Sequence, residues 1–157
     1  MTTPHYLTRE EILNARDRKS REVPAPEWGG TLLVRGLSGS ERDQFEIMTA
    51  VRRSDDAEDN LKHLRGLLAS MTIVLPVDPD DESKGYVRVF SEDDVVALGE
   101  KSARPLDLVF EVAASLSGIS DRDVEKLVKA LPLDQTGSTG SATPKPSTAL
   151  AQKPKRG

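Results

Sequence analysis

Apolar residues recur at intervals of three and four along most of the chain, and this spacing predicts amphipathic helices. The clearest apolar stripe, in the third predicted helix, consists of Leu61, Leu64, Leu67, Leu68 and Met71. Weaker stripes predict a short helix near Ile12, a second helix over about 40–52, and a fourth that Gly99 ends. A fifth helix opens at Arg104-Pro105, and a sixth covers about 121–131.

Helix starts are marked by a hydroxyl residue followed three positions later by an acid. This spacing favours a capping box, in which each side chain accepts from the other residue's backbone N–H. The boxes are Thr8/Glu11, Ser38/Glu41, Ser91/Asp94 and Ser120/Asp123. Ser40/Asp43 offers a weaker alternative start for the second helix.

Four short runs predict strands, because they are β-branched or alternate between apolar and polar residues. They lie at about 22–26, 31–35, 73–77 and 86–90. The first two form a hairpin that turns at Trp28-Gly29-Gly30, where both glycines are expected to tolerate positive φ. The last two form a second hairpin across an acidic loop.

The composition changes abruptly near Asp134 to Gly, Ser, Thr, Pro, Ala and Lys. Few apolar residues remain to offset the entropy of ordering this stretch. The sequence therefore predicts a folded domain over 1–134 and a disordered C-terminal tail or linker over 135–157. The predicted fold class is α+β and mainly helical, with about six short helices and two small β-hairpins.

Charge and composition argue against several classes of function. The net charge is −4, and the 18 basic and 26 acidic residues of 1–135 leave that part at −8. Such a body repels nucleic-acid phosphates. No apolar stretch approaches membrane-span length, and no signal peptide is expected at the N-terminus. The chain contains no cysteine, which excludes thiolate chemistry.

Candidate sites for a metal or for catalysis are weak. Asp78, Asp80 and Glu82 have the spacing of the opening ligands of a calcium loop. Ser83 stands where that loop needs glycine and Val89 where it needs glutamate, so an acidic surface loop is the favoured interpretation. No phosphate-binding or nucleophile motif occurs, and the two histidines are expected at the surface. We expect no enzyme activity, metal or cofactor.

Two apolar features are candidates for binding a partner. Trp28, the only tryptophan, is either an exposed hot spot or a cap on the core beside the hairpin, and the second is favoured. The sixth helix has an apolar stripe that either packs on the fifth helix or stays accessible to a partner helix. The candidate partner-binding residues are Val124, Leu127, Val128, Leu131 and Trp28.

A series of motifs between Leu7 and Leu131 resembles one known family, the tail assembly chaperones of long-tailed, siphovirus-type bacteriophages and related prophages. Its first half carries Leu7-Thr8-Arg9-Glu10-Glu11-Ile12-Leu13, Val23-x-x-Pro26-Glu27-Trp28-Gly29-Gly30, Val34-Arg35-Gly36-Leu37-Ser38-Gly39 and Arg42-Asp43-x-Phe45-Glu46. Its second half carries Val89-Phe90-Ser91-Glu92-Asp93-Asp94-Val95, Leu98-Gly99-Glu100-Lys101-Ser102 and Leu116-Ser117-Gly118-Ile119-Ser120.

The resemblance implies a non-enzymatic chaperone that keeps the helical tape-measure protein soluble and helps tail-tube subunits to polymerise around it. The implied partners are the tape-measure protein, the tail-tube protein and further copies of the chain, without nucleic acid or membrane. The implied location is the host bacterial cytoplasm, with the protein absent from the mature virion. The family commonly makes a longer frameshifted product, which a C-terminal linker would suit. The alternatives are a structural tail or virion component and a small cellular adaptor or regulatory binding protein.

Overall fold

The computed structural model describes residues 1–129, which form a mainly helical α+β fold, as predicted. The helices within this range are α1 (Arg9–Asn14), α2 (Gly39–Val51), α3 (Ala57–Thr72), α4 (Val95–Gly99), α5 (Ala103–Ser117) and α6 (Asp121–Val128). The strands are β1 (Ser20–Ala25), β2 (Gly30–Arg35), β3 (Ile73–Pro76) and β4 (Tyr86–Arg88). The predicted tail over 135–157 and the predicted helix end at Leu131 lie outside the described residues.

The helices begin where the capping boxes predict. In α2, the Ser38 hydroxyl accepts from the Glu41 backbone N–H at 3.2 Å, and the Glu41 carboxylate accepts from the Ser38 N–H at 2.8 Å. Ser38, not the alternative Ser40, is therefore the N-cap. Equivalent boxes begin α1 and α6. The Ser91 box instead begins a 3-10 turn over Glu92–Asp94 that leads into α4.

The two predicted hairpins belong to a single antiparallel sheet of order β1-β2-β3-β4. Strands β2 and β3 join them through the pairs Leu33–Val74 and Val34–Ile73. Helices α2 and α3 separate these two strands in the chain, so no local signal predicted their pairing. Among the described residues, no helix has both the length and the apolar character needed to cross a bilayer.

The first hairpin turn differs from the prediction at one of its glycines. A 3-10 turn over Pro26–Trp28 ends at Gly29, which has φ +82°. Gly30 already belongs to β2, where it pairs with Ala25. Because one left-handed residue suffices to reverse the chain after the 3-10 turn, the expected positive φ at Gly30 is wrong.

The hydrophobic core lies between the sheet and helices α3 and α5. Its fully buried side chains include Phe45, Val34, Ile73, Leu64, Leu67, Leu68 and Val109. The central helix α3 contacts α2, α4, α5 and α6. Two glycines allow close approach of backbones: a Cβ on Gly66 would lie 2.5 Å from the Val95 carbonyl oxygen, and one on Gly36 would lie 2.6 Å from that of Leu116.

Candidate partner-binding site

The apolar stripe of α6 is turned towards the domain. Val124, Leu127 and Val128 are half-buried and pack against the hydrophobic core. The helix lies chiefly on α3 and also on α2, so its expected docking on α5 is wrong. The first turn of α3 is rich in acids and polar residues. The pattern of apolar residues therefore did not predict that α6 would pack there. Leu131, the fourth residue of the predicted stripe, lies outside the described part of the chain.

Polar contacts hold α6 in this position. Asn60 is buried on α3, and its amide donates to the Val128 carbonyl at 3.0 Å and to the Ser54 carbonyl at 2.9 Å. Arg42 on α2 donates to the Gly118 carbonyl at 3.0 Å, and its guanidinium lies 3.5 Å from the Asp123 carboxylate. Because both ends of α6 are tied to the domain, its half-buried stripe offers a partner only limited area.

Trp28 combines features of the two roles that the sequence left open, a cap on the core and an exposed hot spot. It is half-buried and packs on the core, yet it also lines an open pocket of about 340 Å³ with Phe90, Leu98 and Lys101. The buried indole N–H has no acceptor within the described residues. We call this the Trp28 pocket. No described residue of α6 lines it, so the candidate residues on α6 and Trp28 do not share a pocket.

A second apolar surface, which the sequence did not predict, lies between α2 and α4. Ile47, Met48 and Val51 from α2 and Val96 from α4 line a groove of about 350 Å³. Val51 follows Phe45 and Met48 at helical spacing, yet Phe45 is buried whereas the exposed fraction of Val51 is 79%. We call this surface the α2–α4 groove. Exposed Ile47 and Val51 are four residues apart on α2, a spacing that could have indicated an outward apolar face.

The base and rim of the α2–α4 groove differ in character. The buried side chains of Leu67 and Val95 lie at its base, and Arg52, Glu92 and Asp93 supply charges at its rim. His63, which was expected at the surface, lines this surface groove and is half-buried there. Burial lowers the pKa of His63, and the charge of Arg52 lowers it further. The imidazole is therefore neutral at pH 7, which keeps this part of the groove uncharged.

The helix α1 is the most exposed apolar element. The structure buries none of its residues. Ile12 and Leu13 on α1, and Tyr6 and Leu7 just before it, are all more than half exposed. The sequence predicted the helix but gave no indication of whether its apolar side would be covered.

A charged cluster fixes the chain between α1 and β1. The Arg18 guanidinium donates twice to the Gly36 carbonyl, at 3.1 and 3.0 Å, and once to the Glu41 carboxylate at 2.6 Å. Arg88 donates to the other Glu41 oxygen at 3.2 Å. Burial raises the pKa of Glu41, but the Ser38 N–H, Arg18 and Arg88 together outweigh it, so the pKa lies below its ordinary value.

The acidic loop between β3 and β4 is internally paired. Asp78 accepts from the Lys84 ammonium at 2.8 Å and from the Asp80 backbone N–H at 3.0 Å. Asp81 accepts from the backbone N–H and the hydroxyl of Ser83. Across residues 1–129 there is no group of three or more potential metal-ligating side chains. The loop carboxylates are thus used in local turns.

Open apolar surfaces on the described part of the chain include the Trp28 pocket, the α2–α4 groove and the exposed side of α1. The Trp28 pocket suits an apolar side chain better than a small polar ligand, because Lys101 is the one charged residue among the described residues that line it. Comparison of the chain with models of known protein families, with curated proteins and with solved structures found no match.

Proposed function

We propose that this protein is a non-enzymatic tail assembly chaperone of a long-tailed bacteriophage, which binds the tape-measure protein and promotes assembly of the tail tube. The motif resemblance between Leu7 and Leu131 motivates the proposal. The Trp28 pocket is the single structural observation that supports it best. The protein acts in the host cytoplasm and leaves the assembly before the virion is complete.

The Trp28 pocket has the composition of a binding hot spot. Tryptophan is enriched among the residues that carry most of the energy of protein interfaces. Trp28 and Phe90 supply aromatic walls, and Leu98 supplies an aliphatic surface. An apolar side chain of a partner helix fits such a pocket.

Lys101 at the rim of the Trp28 pocket favours a partner with a negative charge beside its apolar side chain. Its side chain is exposed and forms no ion pair within residues 1–129. An acidic residue one helical turn from the inserted apolar side chain would pair with it. The pocket therefore suits an amphipathic helix that carries an aliphatic residue and an acid one turn apart on the same face.

Co-expression with the tape-measure protein of the same phage genome tests the function. We expect the tape-measure protein to become soluble and to co-purify with the chain. Lys101→Glu should reduce co-purification by about tenfold, because it replaces attraction by repulsion at a rim that remains folded. Trp28→Ala should reduce it at least as much. Val87→Ala, an exposed apolar change on β4, serves as the control.

A tape-measure protein that stays insoluble, or that co-purifies equally with Lys101→Glu, would contradict the proposal. Mass spectrometry of purified virions separates the chaperone from a structural tail component. The chaperone should be absent from virions, whereas a structural component should be present at a fixed copy number.

A further inference from the structure

We propose that the segment 130–133, Ala-Leu-Pro-Leu, packs into the α2–α4 groove of its own chain. The segment lies outside the described residues, whereas the groove and the place where the chain leaves α6 lie within them. The inference goes beyond the proposed function, because it concerns a contact within one chain and does not involve the Trp28 pocket or the tape-measure protein. Leu131, one of the candidate partner-binding residues, would then be covered by its own domain.

The α2–α4 groove is an uncovered edge of the hydrophobic core. Ile47, Val51 and Val96 stand at the groove with exposed fractions of 64%, 79% and 62%. Its base reaches the core residues Leu67 and Val95. An aliphatic side chain that enters the groove would therefore extend the existing core, and the free energy gained rises with the apolar area removed from water.

The described chain ends beside this groove. Helix α6 ends at Val128, and Lys129 already has an extended backbone, with φ −68° and ψ 121°. The Val128 carbonyl accepts from the Asn60 amide at 3.0 Å, which fixes the end of α6 on α3. On α3, Asn60 precedes the groove residue His63 by nearly one helical turn, which is a rise of about 4.5 Å. The chain therefore leaves α6 within a short distance of the groove.

The segment is long enough to reach the groove and has a suitable backbone. Four extended residues span about 13 Å. Pro132 disfavours a helical backbone at Leu131, so the sequence favours an extended path. In an extended chain, residues two positions apart lie on the same side. Leu131 and Leu133 can therefore enter the groove together.

The segment is also the last part of the sequence that suits an apolar groove. Beyond Leu133 the only large apolar residue in the sequence is Leu150. The segment itself carries no charge, so it fits a rim that holds both signs, Arg52 with Glu92 and Asp93.

Helix α1, another uncovered apolar element, fits the groove less well. Its acids Glu10 and Glu11 directly precede Ile12. Insertion of Ile12 would bring these acids towards Glu92 and Asp93, and like charges at the rim of a contact oppose binding. The uncharged segment 130–133 is therefore the better occupant.

A double-mutant cycle in the full-length protein tests the contact. Val51→Asp and Leu131→Asp should each raise the unfolding equilibrium constant by about tenfold, because each removes apolar area that the contact buries. The two changes together should also raise it by about tenfold and not by about a hundredfold, because they break the same contact. Urea denaturation measures these constants. Val87→Asp, at an exposed apolar site on β4 outside the groove, is the matched control, and its small effect should add to that of Leu131→Asp.

Cross-linking shows which chain supplies the segment. The sequence contains no cysteine, so two introduced thiols have no competitors. Val96→Cys is paired in turn with Leu131→Cys and with Leu133→Cys, and at least one pair should form a disulfide within a monomer under mild oxidation. A disulfide requires Cα atoms within about 7 Å of each other. Val87→Cys, paired with the same two changes, should not form one.

The proposal is overturned if Val51→Asp leaves the unfolding constant unchanged, because an empty groove predicts that result for so exposed a residue. It is equally overturned if the effects of Val51→Asp and Leu131→Asp multiply, since the two residues would then make separate contacts. Disulfides that form only between chains would assign the groove to a second copy and refute the contact within one chain. Failure of both Val96→Cys pairs, or equally fast closure of the Val87→Cys pairs, has the same meaning.

Discussion

Gly66 lies on the side of α3 that touches the backbone of Val95. A Cβ at this position would come within 2.5 Å of the Val95 carbonyl oxygen, closer than real carbon contacts allow. Alanine is the better helix former by about 1 kcal/mol. The obstruction is backbone, which cannot move aside like a flexible side chain, so the steric cost outweighs the gain in helix propensity.

Gly66→Ala should therefore lower the free energy of unfolding by about 1–3 kcal/mol, in the range of an overpacked core. Urea denaturation measures the difference. Gly99→Ala provides the control, because a Cβ there makes only ordinary contacts with Lys62, the nearest at 3.5 Å. A stability of Gly66→Ala equal to that of the wild type would mean that α3 and α4 can separate at little cost.

Gly29 and Gly30 are adjacent but have different backbone conformations: Gly29 has positive φ, whereas Gly30 lies in strand β2. Gly29→Val forces a β-branched residue into φ +82° and should cost about 1–3 kcal/mol of unfolding free energy. Gly30→Val should leave stability nearly unchanged, because Gly30 lies in a strand and a Cβ there has open space. Equal losses in both variants, measured by urea denaturation, would refute this assignment of the turn.

Single residues mark the limit of what local sequence predicts. The turn at Trp28-Gly29-Gly30 was predicted, since glycine pairs favour chain reversal. Which of the two glycines takes positive φ depends on the 3-10 turn before them. The role of Gly66 depends on a helix almost thirty residues away. The residues next to Gly66 in the sequence therefore could not predict this role.

At the level of elements, Glu41 ties the start of α2 to two other segments of the chain. Its carboxylate completes the capping box with Ser38 and binds Arg18 and Arg88. The pKa of Glu41 is lowered from its ordinary value of 4.5 in the folded protein. Ionised Glu41 therefore stabilises the fold above pH 4.5, and this contribution is lost as the pH falls through the lower folded pKa.

Glu41→Gln should reduce the free energy of unfolding at pH 7 by about 1 kcal/mol, because the charge-assisted bonds weaken. The difference between variant and wild type should shrink as the pH falls below 4.5. Thermal melts from pH 3 to pH 7 measure it, with the exposed Asp43→Asn as a control on the same helix. A difference that does not depend on pH would show that Glu41 acts by shape alone.

Helix starts were predicted well because capping is local. The Ser38, Thr8 and Ser120 boxes each lie within four consecutive residues. The apolar pattern was less informative about which helices touch. Val51 continues a core stripe in sequence but lies beyond the end of the covered face, and α6 packs on α3 through contacts such as Asn60 to Val128.

At the level of the whole molecule, the pairing of β2 with β3 joins parts that the sequence presents as separate. The pairs Leu33–Val74 and Val34–Ile73 link a hairpin from the first quarter of the chain to one from the middle. Buried Val34 and Ile73 belong to the same core as α3 and α5. Neither hairpin has enough apolar area to be stable alone.

The sheet and helices should therefore unfold together. Trp28 fluorescence reports on the first hairpin, and far-ultraviolet circular dichroism reports mainly on the helices. We expect both probes to give the same urea midpoint, as in a two-state transition. An earlier fluorescence transition would show that the β1–β2 hairpin detaches before the helices melt.

The fold class was predictable because helix periodicity, strand alternation and caps all agreed along the chain. The α2–α4 groove was not, because it forms between Val51 and Val96, which are far apart in the sequence. The candidate site on α6 was predicted as an apolar stripe, but the stripe alone could not indicate how much of it α3 would cover.

The bonds of Arg18 to Gly36 and Glu41 also set a geometric limit. These bonds fix the position of Arg18, which we call the pivot, and only the residues 15–17 separate it from the end of α1. Three extended residues span about 10 Å, and a helix of six adds about 9 Å. Whatever α1 covers must lie within roughly 20 Å of the pivot. The length of the segment 15–17 therefore limits how far α1 can extend from Arg18. Each residue inserted into this segment would increase that distance by about 3 Å.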